Sequence, residues 1–331
     1  MEKFLHLIIH YSLLMIIFLF PFFFLPATQE FFITNKLYLL AFSSLFLLLI
    51  STIKFAITKK ISWQKGYFDT LLVLFLLTIS ISIIISSPNK VQALLNPNFG
   101  FLTFFSLTIL YFYLSRNIGI DDNRLGKWTG YNLSLPVLSA SSFLLSILTI
   151  FFFFQPFKNA TLPSFLQFLK NPSFTPIGSQ LDLAIFLGFF VVYSLVQTLI
   201  STNTADKNEK TNNKSLILNT CYLILTLTAL SLTIYSLIKP ITTNFNQFQP
   251  ISTNMPPFRL SWYAAVEILK NWPTAFFGIG VDNFSSIFTR VKDIVYNQSN
   301  LWQIYSFNYS RSAILHLFTE TGSLGLLVFS L

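Results

Sequence analysis

The residues able to do chemistry crowd into the last stretch of the chain, Pro256–Leu331. Three of the five arginines lie there, Arg259, Arg290 and Arg311. Arginine keeps its charge at any physiological pH and presents a rigid, planar fork of donors. Arg259, Tyr263 and Glu267 fall along one side of a helical pattern, where the plain reading of Arg259 is a solvated charge. Arg311 stands where polar sequence gives way to apolar sequence, a position that suits an interfacial anchor. His316 and Glu320 are four apart and share a helix face. Such a pair is either a structural contact just inside the interface or a base with the group that orients it. Between these lies Phe277-Gly278-Ile279-Gly280-Val281-Asp282-Asn283-Phe284, a glycine turn between apolar residues. A lone G-x-G that follows no strand is not a nucleotide site. The single cysteine, Cys221, excludes an internal disulfide and a Cys-based metal site, and neither metal nor cofactor is expected.

The rest of the chain must position these groups, and its composition says how. Of 331 residues, 53% are hydrophobic and only 10% charged. A soluble domain carries about 25% charged residues. The apolar residues fall in blocks of about 20, enough to cross ~30 Å of hydrocarbon. The expected fold is therefore all-α, a polytopic transmembrane bundle of about eight spans. The blocks run roughly Phe4–Leu25, Leu37–Ile57, Tyr67–Ile85, Phe99–Leu114, Leu133–Phe154, Leu181–Ile200, Leu216–Ile238 and Ser312–Leu331. The first is too long, and lacks the small-residue cleavage site, for a signal peptide.

Loop charge sets the orientation. Eleven Lys and Arg residues lie in the odd-side loops against four, Lys36, Lys90, Lys158 and Lys170, in the short loops opposite. That excess puts the N-terminus in the cytoplasm. The net charge of +9 is thus spread over inter-span loops and implies no nucleic-acid partner. Residues 1–238 read as a seven-span scaffold, 239–311 as a large extracytoplasmic helical loop and 312–331 as an eighth span. Within the loop, Pro257 suits the first turn of a helix. Phe258, Trp262, Ala265, Val266 and Leu269 then form an apolar stripe expected to pack on the bundle, and Pro273 ends the helix. Thr202–Lys214, poor in apolar residues, reads as a disordered connector. The spans hold almost no ionisable groups, which argues against proton relay through the bilayer and places the chemistry at the outer face.

Taken together, these pieces resemble the O-antigen ligase and polymerase superfamily of bacterial membrane glycosyltransferases. The resemblance rests on many spans, a large late outer loop, and a signature of few residues. Its parts here are Arg259, Trp262, Pro273, the Phe277–Phe284 turn and Glu320-Thr321-Gly322. Phe174–Ala184 looks like a further outer-loop motif that is often Asn-Pro-Asn-like. The family places a His-Asn pair nine residues before its Glu-x-Gly; here those positions are Arg311 and Ser312. The family's earlier periplasmic arginine has Lys170 as its nearest basic counterpart. Members continue through further spans, so the resemblance also implies a chain that stops short.

The activity so implied is metal-independent transfer of a glycan from an undecaprenyl diphosphate carrier to an acceptor hydroxyl, at the outer face of the cytoplasmic (inner) membrane. The partners would be the lipid-linked donor, a glycan, lipid or protein acceptor, and membrane lipids. Arginine forks suit the departing diphosphate, so Arg259 and Arg311 are assigned to it. His316, braced by Glu320, is the substitute base. Lys170, Gly278, Gly280, Asn283 and Arg290 are assigned to substrate binding. Two other readings remain: a transporter or flippase of lipid-linked sugars, and a non-catalytic membrane assembly protein.

Overall fold

The computed structural model describes residues 2–26, 28, 30–59, 66–116, 131–171, 174–205, 209–238, 256–299, 301, 304 and 306–331. In chain order the helices are α1 (Glu2–Leu19), α2 (Ile33–Thr58), α3 (Asp69–Ile85), α4 (Lys90–Leu95), α5 (Phe101–Arg116), α6 (Tyr131–Phe153), α7 (Gln180–Ala205), α8 (Glu209–Ile238), α9 (Phe258–Glu267), α10 (Trp272–Phe277), α11 (Phe284–Val291), α12 (Ile294–Asn297) and α13 (Ala313–Ser330). Short 3-10 turns occupy Ser164–Lys170 and Ile268–Lys270. No strand occurs among the described residues. Among the described residues five helices, α2, α6, α7, α8 and α13, contain segments long and apolar enough to cross a membrane, which makes this a membrane protein by composition and length. Three shorter apolar helices are α1, α3 and α5.

The disordered connector expected at Thr202–Lys214 is largely helix instead. α7 runs on to Ala205 and α8 begins at Glu209. Polar sequence does not forbid a helix that continues an apolar one, because the costly nucleus is already formed. Conversely, α1 stops at Leu19, short of the apolar block's end at Leu25, because Pro21 and Pro26 break that stretch.

Contacts group the chain into two units. The first comprises residues 1–39, 49–57 and 117–244. In it α6, α7 and α8 pack together and α1 lies on α6. Leu183 and Leu187 of α7 meet Ala229 of α8 in a small core. The carboxylate of Glu30 caps α2, accepting from the Phe32 and Ile33 N–H groups at 2.9 and 2.8 Å. Ser179 and Asp182 cap α7 reciprocally: the Asp182 N–H donates to Ser179 Oγ at 3.0 Å, and that hydroxyl donates to Asp182 Oδ2 at 2.6 Å. Lys36 donates to the carbonyls of Pro176, at 3.4 Å, and Ile177. Phe24, Phe32, Phe168 and Phe174 form an aromatic cluster beside it.

The second unit comprises residues 40–48, 58–116 and 245–331. α3 packs on α5 and α13, α10 on α13 and α3, and α9 on α11 and α13. Its core gathers Leu260, Ala264, Ile268, Phe284, Ile287 and Phe288. A neighbouring cluster joins Ile79, Ile83, Ala93 and Val281. Tyr113 donates to the Leu47 carbonyl at 3.0 Å, and Ser44 donates to Ser106 Oγ at 3.1 Å.

The buried face of α9 differs from the one expected. Leu260, Ser261, Ala264 and Ala265 are inward, continued by Ile268 in the 3-10 turn. Of the expected stripe only Ala265 is buried; Phe258, Trp262, Val266 and Leu269 are exposed. The sequence carries apolar residues on both sides of this helix, so periodicity could not choose between them. The smaller residues went inward, because Ala264, Ala265 and Ser261 let α9 approach α11 and α13 closely. The helix ends earlier than expected, at Glu267 with its 3-10 turn closing at Lys270, and Pro273 lies in the first turn of α10 instead.

Candidate functional site

The second unit is built around a break in α13. At Gly322 the backbone turns to φ 70°, ψ −170° inside an otherwise helical segment. Only glycine adopts this region readily. The glycine turn expected at Phe277–Phe284 fits into that break. Gly278 takes φ 70°, Gly280 φ 89° and Asp282 φ 57°. The Ile279 N–H donates to the Thr319 carbonyl at 3.1 Å, and the Gly280 N–H to the Glu320 carbonyl at 3.0 Å. Ser82 of α3 donates to the same Glu320 carbonyl at 3.1 Å. Two carbonyls at the kink, those of Thr319 and Glu320, are thereby satisfied, as a buried break requires. The fit is reciprocal: a Cβ on Gly278 would collide with the Glu320 backbone, and one on Gly322 with the Phe276 carbonyl and the Gly278 nitrogen.

The segment between α3 and α5 holds the turn from its other side. A Cβ on Gly280 would lie 2.7 Å from the Cβ of Ser87. Asn283, 2% exposed, donates through Nδ2 to Ser87 Oγ and to the Val281 carbonyl, both at 2.9 Å. Its Oδ1 accepts from the Asn89 N–H at 3.3 Å. Gln92 Nε2 donates to the Asp282 carbonyl and to Asp282 Oδ2, each at 2.9 Å. Asn96 Nδ2 donates to the same carboxylate. Burial pushes the Asp282 carboxyl above its ordinary value, while the amides of Gln92 and Asn96 pull the other way.

Each residue singled out in the sequence now has a place. Gly278, Gly280 and Asn283 are buried parts of the turn, engaged with protein backbone and side chains. Glu320, 3% exposed, lies by the start of α11 with its Oε1 buried. His316 sits against the rings of Phe99 and Phe284, at centroid distances of 4.9 and 5.7 Å. Its Nε2 lies 3.5 Å from Glu320 Oε2, and its Nδ1 accepts a long bond, 3.5 Å, from the Ser310 N–H. His316 Nε2 is nonetheless buried without a hydrogen-bond partner, as is Glu320 Oε1.

Arg259 is exposed on α9, ion-paired with Asp293 and placed over the Tyr263 ring at 5.8 Å. Asp293 also caps α12 through Oδ1, accepting from the Tyr296 N–H at 2.9 Å. Arg311 is exposed just before α13, and its N–H donates to Ser261 Oγ of α9 at 3.1 Å. Positions 259 and 261 are separated by about 200° around a helix, so the Arg311 contact and the Arg259 side chain leave α9 on different faces. Arg290 is exposed in the last turn of α11, where a cation favours the helix dipole. Lys170 ends the Ser164–Lys170 turn and, like Phe174–Ala184, belongs to the first unit.

Sequence reasoning passed over Ser87, Gln92 and Asn96, which hold the turn. The signal was present: Asn96-Pro97-Asn98 stands directly before α5. Asn96 of that stretch bonds the glycine turn, whereas Phe174–Ala184 belongs to the first unit. Among the described residues no group of three or more His, Cys, Asp or Glu side chains is gathered as metal ligands. No protein-family model matches the chain, and no curated protein or solved structure does so either.

Proposed function

We propose that this chain is a membrane glycosyltransferase of the O-antigen ligase and polymerase type, working at the outer face of the cytoplasmic membrane. One observation carries the reading. The glycine turn and Glu320-Thr321-Gly322, some 40 residues apart in sequence, close on each other through two backbone hydrogen bonds and two interlocked glycines. The parts of the resemblance that are distant in sequence therefore form one structural element, with Arg311 at its edge and α9 bonded beside it.

What supports the eight-span path is the pairing of loops. By that path residues 86–98 and 256–311 emerge on one face, and Asn89, Gln92 and Asn96 do bond to Asp282 and Asn283. The stretches around Lys36 and Ile177, both outer by the same count, are also bonded.

In the proposed reaction the acceptor hydroxyl oxygen attacks the anomeric carbon of the donor. The bond from that carbon to the diphosphate oxygen breaks, the lipid diphosphate leaves, and the hydroxyl proton passes to a base. Arg311 and Arg259 would stabilise the departing charge, each strong donor contributing about 3 kcal/mol. Arg259 must exchange Asp293 for phosphate oxygens to do so. A base must come within hydrogen-bond reach of the hydroxyl. The packing of His316 against the rings of Phe99 and Phe284 favours a supporting role for its ring.

The test is loss of the gene followed by analysis of lipid-linked glycans. Accumulated polyprenyl-diphosphate glycan is the expected result, and restoration by the wild-type chain but not by Arg311→Ala completes it. An unchanged pool of lipid-linked glycan refutes the proposal.

The break in α13 favours a second reading, a transporter or flippase. Interrupted membrane helices line the substrate sites of many transporters. Against it, the freed carbonyls here are occupied by Ile279, Gly280 and Ser82 rather than left for a cargo. ATP- or gradient-dependent movement of a lipid-linked sugar across reconstituted vesicles, without bond transfer, would establish that reading instead.

A further inference from the structure

The apolar stripe of α9 is turned away from the core that its other face builds. Phe258, Trp262, Val266 and Leu269 recur at positions i, i+4, i+8 and i+11, and the four are 42–56% exposed. Trp272, at the start of α10, is 72% exposed, and Phe276 of α10 is 49% exposed. Opposite them, Leu260, Ala264 and Ile268 are packed against α11. Nothing within the described residues of this unit covers the outer stripe.

We propose that this stripe lies on the bilayer, in the boundary between headgroups and acyl chains. Three observations commit the surface to lipid. First, α9 and α10 both pack on α13, which is apolar enough to cross a membrane, so the stripe is held beside a membrane-crossing helix. Second, α13 itself presents exposed apolar residues such as Ile314, so lipid-facing surface borders α9. Third, the composition is that of an interface: two tryptophans, with Tyr263 beside them, whose amphipathic rings settle at headgroup level. Charge plays the smaller part, because Arg259 and Lys270 are already paired with Asp293 and Glu267. A helix of this kind sinks about 5–10 Å into the boundary. The consequence is positional: it would keep α9 and its neighbours at the level where a lipid headgroup arrives. The inference does not depend on glycosyl transfer, because its readout is depth in the bilayer.

The experiment uses the full chain with Trp63, Trp128 and Trp302 replaced by Phe, leaving Trp262 and Trp272 as reporters. It is reconstituted in vesicles of phosphatidylcholine and phosphatidylglycerol brominated either near the carbonyl end or near the methyl end of the acyl chain. The expected result is loss of most of the emission with shallow bromine and little loss with deep bromine. Emission quenched by aqueous acrylamide and untouched by bromine overturns the proposal. So does blue-shifted emission that ignores bromine but depends on cross-linkable pairing, which would mean a second copy covers the stripe. A nitroxide at Leu269→Cys in a Cys221→Ser background repeats the measurement without the Trp replacements. There oxygen should relax the label more than an aqueous nickel chelate, and the reverse order refutes the inference.

Discussion

Replacing Gly322 by Ala tests the argument that the broken helix and the glycine turn are one interlocked element. The perturbation adds a single methyl group. At φ 70°, ψ −170° that methyl group meets its own backbone unfavourably, a cost of about 1–3 kcal/mol in a region reserved for glycine. It also collides with the Phe276 carbonyl and the Gly278 nitrogen, so the turn must move away. Moving it gives up the bonds from the Ile279 and Gly280 N–H groups, each contributing about 1 kcal/mol. The combined local cost is about 3–5 kcal/mol. Gly188 supplies the control, because a Cβ on it meets nothing within 4 Å. It sits inside α7, where Gly→Ala stabilises by about 0.5–1 kcal/mol. The assay is hydrogen exchange of the Ile279 and Gly280 amides in lipid nanodiscs. A local loss of 3 kcal/mol or more accelerates their exchange at least about 100-fold. If those amides exchange at the same rate in Gly322→Ala as in Gly188→Ala, the interlock is not what holds the turn.

Other expectations follow from neighbouring contacts. Arg259→Ala and Arg311→Ala should each lower the rate of glycan transfer about 100-fold or more, measured with lipid-linked donor in vitro, and normal rates in both would end their assignment to the diphosphate. Asp293→Asn keeps a residue able to cap α12 but frees Arg259 of its counter-ion, so affinity for a soluble diphosphate should rise by up to about 5-fold, as for an exposed pair, and a fall would contradict the competition. His316→Phe retains an aromatic ring between Phe99 and Phe284; transfer should survive it if the ring is a support, and its abolition would restore His316 as the base.

Asp282 gives a pH dependence. Its folded value is raised above the ordinary 3.8, chiefly by burial. A carboxyl raised on folding contributes stability that is complete below its unfolded pKa and is lost as pH rises through the folded one. Asp282→Asn cannot ionise, and asparagine tolerates the φ of 57° there. The stability of the variant relative to wild type should therefore increase as pH climbs from below 3.8 toward neutrality, read by thermal unfolding in detergent; a difference that stays constant with pH would refute this.

The helices were legible because a membrane imposes a length and a composition on whatever crosses it. α2, α3, α5, α6 and α13 lie within a few residues of the apolar blocks, and the glycine turn could be read from Gly278 and Gly280, whose missing side chains permit positive φ. What the sequence did not determine was which partner each element chose. α9 carries apolar residues on two sides, and only close packing against α11 and α13 selected the face bearing Ala264 and Ser261. The supporting role of Ser87, Gln92 and Asn96 was hidden for a related reason. They lie some 190 residues from Asp282 and Asn283, and no local pattern encodes a hydrogen bond across that distance. Nothing local marks Gly322 as a break, and only the arrival of Gly278 against it makes one stable there. Local sequence sets what each segment is able to be; the tertiary fold, by satisfying or stranding each buried backbone group, decides which of those forms survives.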